Sequence, residues 1–471
     1  MTPLETDAGS GDGAGKPPLK VLMAPVNISG MPLVLVNGLR EIGVDARLLQ
    51  FGRGEQGHAF GYDTDIRVDL NAGPAGQVRF DTVRQALDDG YDIFHFWLRT
   101  LVSGPGYSGL MGLDLPFIRL NGRKIVYRFT GMDLRDPEYD LEHNPHSPFR
   151  HGFVAASPED EPVRQAYIDF LRCHVDQFVV QDPEMAQFMP DAKIVPRALT
   201  LENWAHVGIQ PNDVPLIVHG PSNPSVKGTK YILAACERLQ EEGLKFELKL
   251  ITGMAHQEAV EWYRRADVIV DQILIGAYGV LTMEAMALGK PVICYVREDL
   301  FEPHFGKLPI INANPDNIGD VIRATVKDFE LRKEKGAAGR AFVEKHHDVR
   351  KVVPDLKSVY QDVMAKPPNT TVSGADLAFI GRQYGAMEKV INYNRARVRK
   401  TEEDIGEVNR ARLAKALRGE REARREIQKL SRQLERLERR TGVTRTGRRF
   451  RGHSFIRRTI NRLFRRSTLE P

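Results

Sequence analysis

Cysteine is scarce in this chain: Cys173, Cys236 and Cys294 are the only three in 471 residues, far apart and without a CxxC pair. So sparse and odd a set argues against a disulfide framework or a thiolate zinc site and fits a reducing compartment. The three are read as small buried hydrophobes. No apolar run reaches the length that crosses a bilayer. The first sixteen residues are polar and glycine-rich, with acids among them, and lack the apolar core of a secretory signal. The expected location is cytoplasmic, either free or peripheral on the cytosolic face of a membrane. A cationic excess is also missing from most of the chain. Nine Arg and one acid, Glu470, stand between Thr441 and Pro471, so with a total of +5 the rest carries −3 (+5 less +8). A slightly acidic body argues against a nucleic-acid-binding surface, and no nucleic acid partner is expected.

What is present is globular in composition, 42% hydrophobic and 27% charged, and long enough for two domains with an appendage. The stretch from Asp267 to Tyr295 organises it. Val268 to Ile273 is short, mostly apolar and β-branched, and reads as a buried strand. Gly276 and Gly279 then permit a tight turn and close approach to a ligand. Leu281 to Leu288 reads as a short helix stopped by Gly289, and Pro291 to Val296 as the next strand. A helix start after such a loop presents unpaired N–H groups and partial positive charge to a phosphate. Glu284, in the first turns, is either a carboxylate favoured by the helix dipole or an acceptor for sugar or ribose hydroxyls.

This segment resembles the signature of GT-B glycosyltransferases, in particular the retaining family four. Glu284-Ala285-Met286-Ala287-Leu288-Gly289-Lys290-Pro291-Val292 matches the second half of that signature at every position, while Gly276 stands where the family has its first Glu. The resemblance implies an α/β fold of two Rossmann-like doubly wound domains facing across a cleft. It also implies that Glu284 binds the nucleotide ribose and that the backbone of Tyr278 to Leu281, including Gly279, Val280 and Leu281, contacts phosphate or sugar. Gly220 to Thr229 looks like the family's phosphate loop, with Lys227 and Gly228 matching and Pro221 in place of Arg. His256 follows a strand where the family often holds the base; its other reading is a helix cap.

The likeness continues upstream. Lys20 to Pro25 is a strand and Val26 to Gly30 the loop after it, making Gly30 either a close contact to donor or acceptor, with the donor side favoured, or a turn glycine. Asp92 to Phe96 resembles the family's Asp-Val-Val-His strand, which would place His95 on the interdomain cleft; a hydrogen-bonded core histidine is the other reading. Thr130 to Arg135 is similar to His-Gly-x-Asp-Val-Arg, with Thr130 replacing His. His95 and Asp133 are thereby the candidates for the acceptor side of the catalytic cleft, the alternative for Asp133 being an ion pair with Arg135. His143, His146 and His151 lack regular ligand spacing, and no metal or other cofactor is expected. Residues 52–80, 136–162 and 301–309 read as irregular.

The boundaries read are a flexible leader over 1–18, an acceptor-side Rossmann-like domain over 19–202 and a nucleotide-sugar-binding one over 203–348. A helix returning to the first domain follows over 349–365, then a helical extension over 366–440 and a basic tail over 441–471. Ile427, Leu430, Leu434 and Leu437 have coiled-coil spacing, which fits a homodimer seam over 427–437 or a docked helix. Ile456, Ile460, Leu463 and Phe464 share one stripe of an Arg-rich helix, so residues 453–466 suit an anionic membrane surface or packing on the protein body. The expected function is transfer of a sugar from a nucleotide-diphosphate donor to a hydroxyl of a glycan, surface polysaccharide or lipid-linked acceptor. The alternative is a GT-B-shaped binding or scaffold protein, suggested by the changes at Thr130, Pro221 and Gly276.

Overall fold

The structure, a computed structural model, describes residues 17–52, 63–103, 111–153 and 161–368, with single positions between 374 and 432. Apolar, β-branched runs build two sheets. The first contains β1 (Lys20–Ala24), β2 (Asp45–Gly52), β3 (Ile66–Asp69), β4 (Ile93–Trp97), β5 (Lys124–Arg128), β6 (Gln177–Val180) and β7 (Lys193–Ile194). Their order is β3-β2-β1-β4-β5-β6-β7. The second contains β8 (Leu216–His219), β9 (Glu247–Leu250), β10 (Val268–Val270), β11 (Val292–Cys294) and β12 (Ile311–Asn312), in the order β12-β11-β10-β8-β9. Neighbouring strands pair in parallel throughout. Parallel sheets are covered on both faces, and β4 and β5 are buried along their whole length. The strand order reverses between β1 and β4, and again between β8 and β10. Ligand clefts open at the carboxyl ends of strands at such points.

The helix Val349–Ala365 completes the first sheet's cover. Val349, Val352, Val353, Leu356, Val359, Tyr360 and Val363 are buried along one side, the spacing of a helix with one apolar face. Each such side chain contributes about 1.5–3 kcal/mol, so this helix is an integral part of the first domain's core. Lys357 Nζ donates to the carbonyl of Ile42 at 2.8 Å, fixing it on the helix Met31–Glu41.

Several expectations are corrected. Residues 52–80 hold β3, whose Ile66 and Val68 are only half-buried at a sheet edge, and the first part of the helix Ala75–Asp88. Residues 136–162 begin with the helix Pro137–His143, capped by Asp136, which accepts from Tyr139 N at 2.8 Å. Residues 301–309 include most of the helix Glu298–Phe305, which carries Pro303 inside it. Cys236 and Cys294 are buried, but Cys173 is exposed.

Residues 390–471 form a separate unit, helical at its described positions. Ile427, Leu430, Leu434, Leu437, the stripe over 453–466 and residues 1–16 lie outside the described residues. No helix among the described residues is long and apolar enough to cross a membrane.

Candidate functional site

After β10 the chain turns at Asp271, runs through the glycine loop and enters the helix Val280–Ala287. Asp271 is fully buried and ties this loop to two others. Its Oδ1 receives Lys227 Nζ at 2.5 Å; its Oδ2 receives Thr282 Oγ1 at 2.8 Å and the N–H of Gly279 at 3.3 Å. Burial alone would raise the Asp271 carboxyl, but the Lys227 ammonium and these donors outweigh it and hold the group below its usual range. The Gly279 N–H, expected to face a phosphate, is therefore turned to Asp271.

Lys227 ends a one-turn helix, Pro224–Lys227, whose start is capped by Asn223 Oδ1 accepting from Ser225 N at 3.1 Å. Gly228 follows in the left-handed region, φ +76°. A Cβ there would lie 2.6 Å from Ile273 Cγ1, so Gly228 is the seat of the Lys227 turn on the glycine loop. Beneath both loops His219 is buried. Its Nδ1–H donates to the carbonyl of Val270 at 2.8 Å, which leaves Nε2 to accept from Thr229 Oγ1 at 2.8 Å. Burial pushes this imidazole down to about 4, so at neutral pH it is an uncharged brace between β8, β10 and the following helix.

Glu284 is buried to 4% exposure, and its Oε1 meets Nε2 of His256 at 2.8 Å. His256 opens the helix His256–Arg265 and stands edge-on to Trp204, ring centroids 6.3 Å apart. The hydrogen bond to Glu284 raises the His256 imidazole above its ordinary value, against the opposing effect of burial. For Glu284, burial favours the neutral carboxyl and His256 opposes that.

These groups face one cleft of about 650 Å³. Lys227, His256, Gly279, Val280, Leu281 and Glu284 all line it, joined by Gln272, Tyr263 and, from the first domain, Ser29. The structure thus brings together six of the eight donor-side candidates. Gly228 lies behind the wall. Gly30 starts the helix Met31–Glu41 one residue after Ser29 and does not itself line the cleft. Gln272 and Tyr263 carry no local signature in the sequence; Gln272 is oriented by donating its Nε2–H to the carbonyl of Ala277.

The two acceptor-side candidates are placed elsewhere. His95 does not line this cleft: it is fully buried, with Nδ1 2.7 Å from the Tyr360 hydroxyl beneath the helix Val349–Ala365. Asp133 accepts from Gly131 N at 2.6 Å and from Thr130 N at 3.0 Å, which makes it the cap of its own loop. Nor does it pair with Arg135, whose Nε and Nη2 bind Glu184 at 2.8 and 2.6 Å. At Gly276, where the resembling signature has Glu, φ is +81° and a Cβ would stand 2.9 Å from Arg297 Cγ. That backbone excludes the larger side chain.

The three histidines of residues 143–151 serve separate contacts. His143 stacks on Tyr139 at 3.9 Å, His146 stands edge-on to Tyr295 at 5.1 Å, and His151 Nδ1 meets Tyr231 Oη at 2.6 Å. No group of three or more His, Cys, Asp or Glu placed to hold a metal occurs among the described residues. The same segment touches the glycine loop directly. Asn144, 1% exposed, donates from Nδ2 to the carbonyls of Leu274 at 2.9 Å and Ile275 at 3.3 Å, while its Oδ1 accepts from His146 N.

No family model and no curated protein matches the chain. Solved structures do. Sucrose-phosphate synthase from Thermosynechococcus elongatus is similar at TM-score 0.51 and 14% identity, over 74% of this chain and 100% of that one. Anabaena HepE, solved with UDP and glucose, is similar at 0.46 and 12%, over 73% and 99%. CalG4, the calicheamicin glycosyltransferase, is similar at 0.38 and 16%, over 74% and 100%.

Proposed function

The chain has the GT-B fold, and from that premise we propose that it transfers a sugar from a nucleoside-diphosphate donor to an acceptor hydroxyl, with retention at the sugar carbon. The supporting observation is the convergence of Lys227, the start of the helix Val280–Ala287, Glu284 and His256 on one cleft at the carboxyl ends of β8 and β10. Glu284 accepts from the ribose hydroxyls, held in register by His256. The sugar–phosphate bond breaks with its electron pair passing to the diphosphate oxygen, and charge grows where Lys227 and the first N–H groups of the helix point. Preorganised donors at such a place are a large source of catalysis. Val280 and Leu281 provide those N–H groups, since the first turn of a helix has no intrahelical acceptor for them. This arrangement calls for no metal. No side chain is assigned as a base: as the new glycosidic bond forms, the acceptor hydroxyl's proton passes to the departing diphosphate oxygen.

For the acceptor we propose a glycan or lipid-linked glycan presented at an anionic membrane surface, on the strength of the Arg-rich stripe over residues 453–466. The deciding experiment incubates the full chain with labelled nucleotide sugars and follows hydrolysis or transfer. At least one donor should release its nucleoside diphosphate, and Glu284→Ala should lower that release at sub-saturating donor about ten- to a hundredfold. Tight binding of nucleoside diphosphates with no turnover of any donor would instead identify a GT-B-shaped binding protein.

A further inference from the structure

Beneath the carboxyl ends of β4 and β5, apart from the donor cleft, lies a second polar group of side chains. Trp97 pairs with Arg128 in the strand register, and His95 stands two residues before Trp97 on the same face of β4. The Arg128 guanidinium lies 4.6 Å over the Trp97 ring, and the His95 and Trp97 rings are 6.0 Å apart. The three are 0%, 5% and 1% exposed for His95, Trp97 and Arg128. Each carries a buried nitrogen that meets no hydrogen-bond partner: His95 Nε2, Trp97 Nε1 and Arg128 Nη1.

Two of the three nitrogens are donors in every state, and the third, His95 Nε2, is a donor in one of its two neutral tautomers. Indole and guanidinium can only donate. On His95, burial and the Arg128 charge both hold the ring neutral. Its Nδ1 lies 2.7 Å from the Tyr360 hydroxyl, and when that hydroxyl donates to Nδ1 the ring proton sits on Nε2. The charge is unbalanced as well. Arg128 Nη2 reaches only the carbonyls of Val195 at 2.5 Å and Pro196 at 3.5 Å, and no carboxylate lies within 4.0 Å of it among the described residues. The nearby Asp182 is already engaged by Arg197 Nη1 at 3.1 Å and by Met185 N at 3.0 Å. A buried cation with no counter-charge is strongly disfavoured, and a buried donor with no acceptor is disfavoured too. A water molecule could accept from two of these donors but would leave the Arg128 charge uncompensated.

We propose that this layer is a binding site for one halide-sized anion, held by Arg128 Nη1, Trp97 Nε1 and His95 Nε2. The anion balances Arg128, satisfies three donors at once and joins β4, β5 and the helix Val349–Ala365 through Tyr360. It is independent of the sugar-transfer reading, since none of its three ligands lines the donor cleft.

The test is thermal unfolding of the full-length chain in chloride and in gluconate, at one ionic strength and pH, because gluconate is too large for the site. A ligand that binds the folded state alone raises Tm progressively with its concentration. Chloride should therefore raise Tm above the gluconate value. Trp97→Phe, which keeps an aromatic ring over Arg128 and removes the indole N–H, should shift the chloride response to about ten- to a hundredfold higher concentration. Arg128→Met should lose the response altogether; if that variant does not fold, Trp97→Phe still decides. Crystals grown in bromide should show an anomalous peak in contact with the three nitrogens. Equal Tm in chloride and gluconate, a chloride response that Trp97→Phe leaves unaltered, or bromide crystals with water alone at this place would each overturn the proposal.

Discussion

Nζ of Lys227 lies 2.5 Å from Oδ1 of Asp271, and the other oxygen of that carboxylate holds Thr282 and the N–H of Gly279. The cation that faces the cleft is thus positioned by an acid 44 residues away in sequence, and so is the start of the signature helix. Asp271→Asn leaves hydrogen-bonding capacity but removes the charge. Breaking a buried pair from one side costs about 3–5 kcal/mol. Lys227 opens on the cleft, so the loss should fall at or below the lower end of that range, read by chemical denaturation. A nucleoside diphosphate should recover part of it. The pair also sets a pH limit. Asp271 is depressed in the folded chain, so its stabilisation is complete above the ordinary carboxylate range and is lost as pH falls through the folded value.

Isothermal calorimetry with nucleoside diphosphates should show binding that Glu284→Ala and Lys227→Ala each weaken. A hydrogen bond to a charged group contributes about 1.5–3 kcal/mol, or roughly ten- to a hundredfold in affinity. Unchanged affinity in both variants would remove the donor site from this cleft.

His256 should titrate above an ordinary histidine by NMR, and Glu284→Gln should bring it down, since the Glu284 hydrogen bond is the leading cause of its elevation. The sign for stability follows: the contribution of a raised histidine is present in full below its unfolded value and fades as pH rises through the folded one. An unaltered His256 titration in Glu284→Gln would refute the coupling.

Asn144→Ala removes both donations to the glycine loop while leaving the cleft lining intact. Loss of a buried hydrogen-bonding partner costs about 1–3 kcal/mol. Faster amide exchange should appear at residues 273–279 before any general loosening. Equal exchange in the variant and the native chain would show that the loop keeps its shape without Asn144.

Vesicle sedimentation tests the tail. Each Arg near an anionic surface contributes about 1 kcal/mol, so the full chain should bind acidic vesicles at low salt and release them at high salt. A chain ending at Arg440 should not bind. Equal sedimentation of the two would exclude the membrane role.

The cleft-lining residues of the glycine loop and its helix were legible because their pattern is contiguous. Val280 to Val292 places a helix start, a carboxylate and a following strand within one short stretch, and local rules are enough to read it. Asp271, His219 and Asn144 were not legible in the same way. Each acts through partners brought close by folding, such as Lys227 for Asp271 and Leu274 for Asn144, and no spacing rule announces them. His95 had two readings, and only the placement of Tyr360, 265 residues on, separates them. β3 escaped because an edge strand of four residues with two exposed side chains carries little apolar pattern. The helix Glu298–Phe305 escaped because Pro303 reads as a breaker.

The helix Val349–Ala365 lies far along the chain from β7, the last strand of the sheet that it covers. On a ribosome the first sheet is therefore finished as a set of strands long before its outer layer exists. Until Val363 clears the exit tunnel, the apolar face around Val21, Met23 and Val126 stays open to solvent or to whatever chaperone shields it. The second domain, by contrast, draws its five strands and the helices packed on them from one continuous stretch. The half made first is the half completed last. A gene cut between the two sheets would thus leave the first half without its outer layer and the second half with an apolar helix that has nothing to cover.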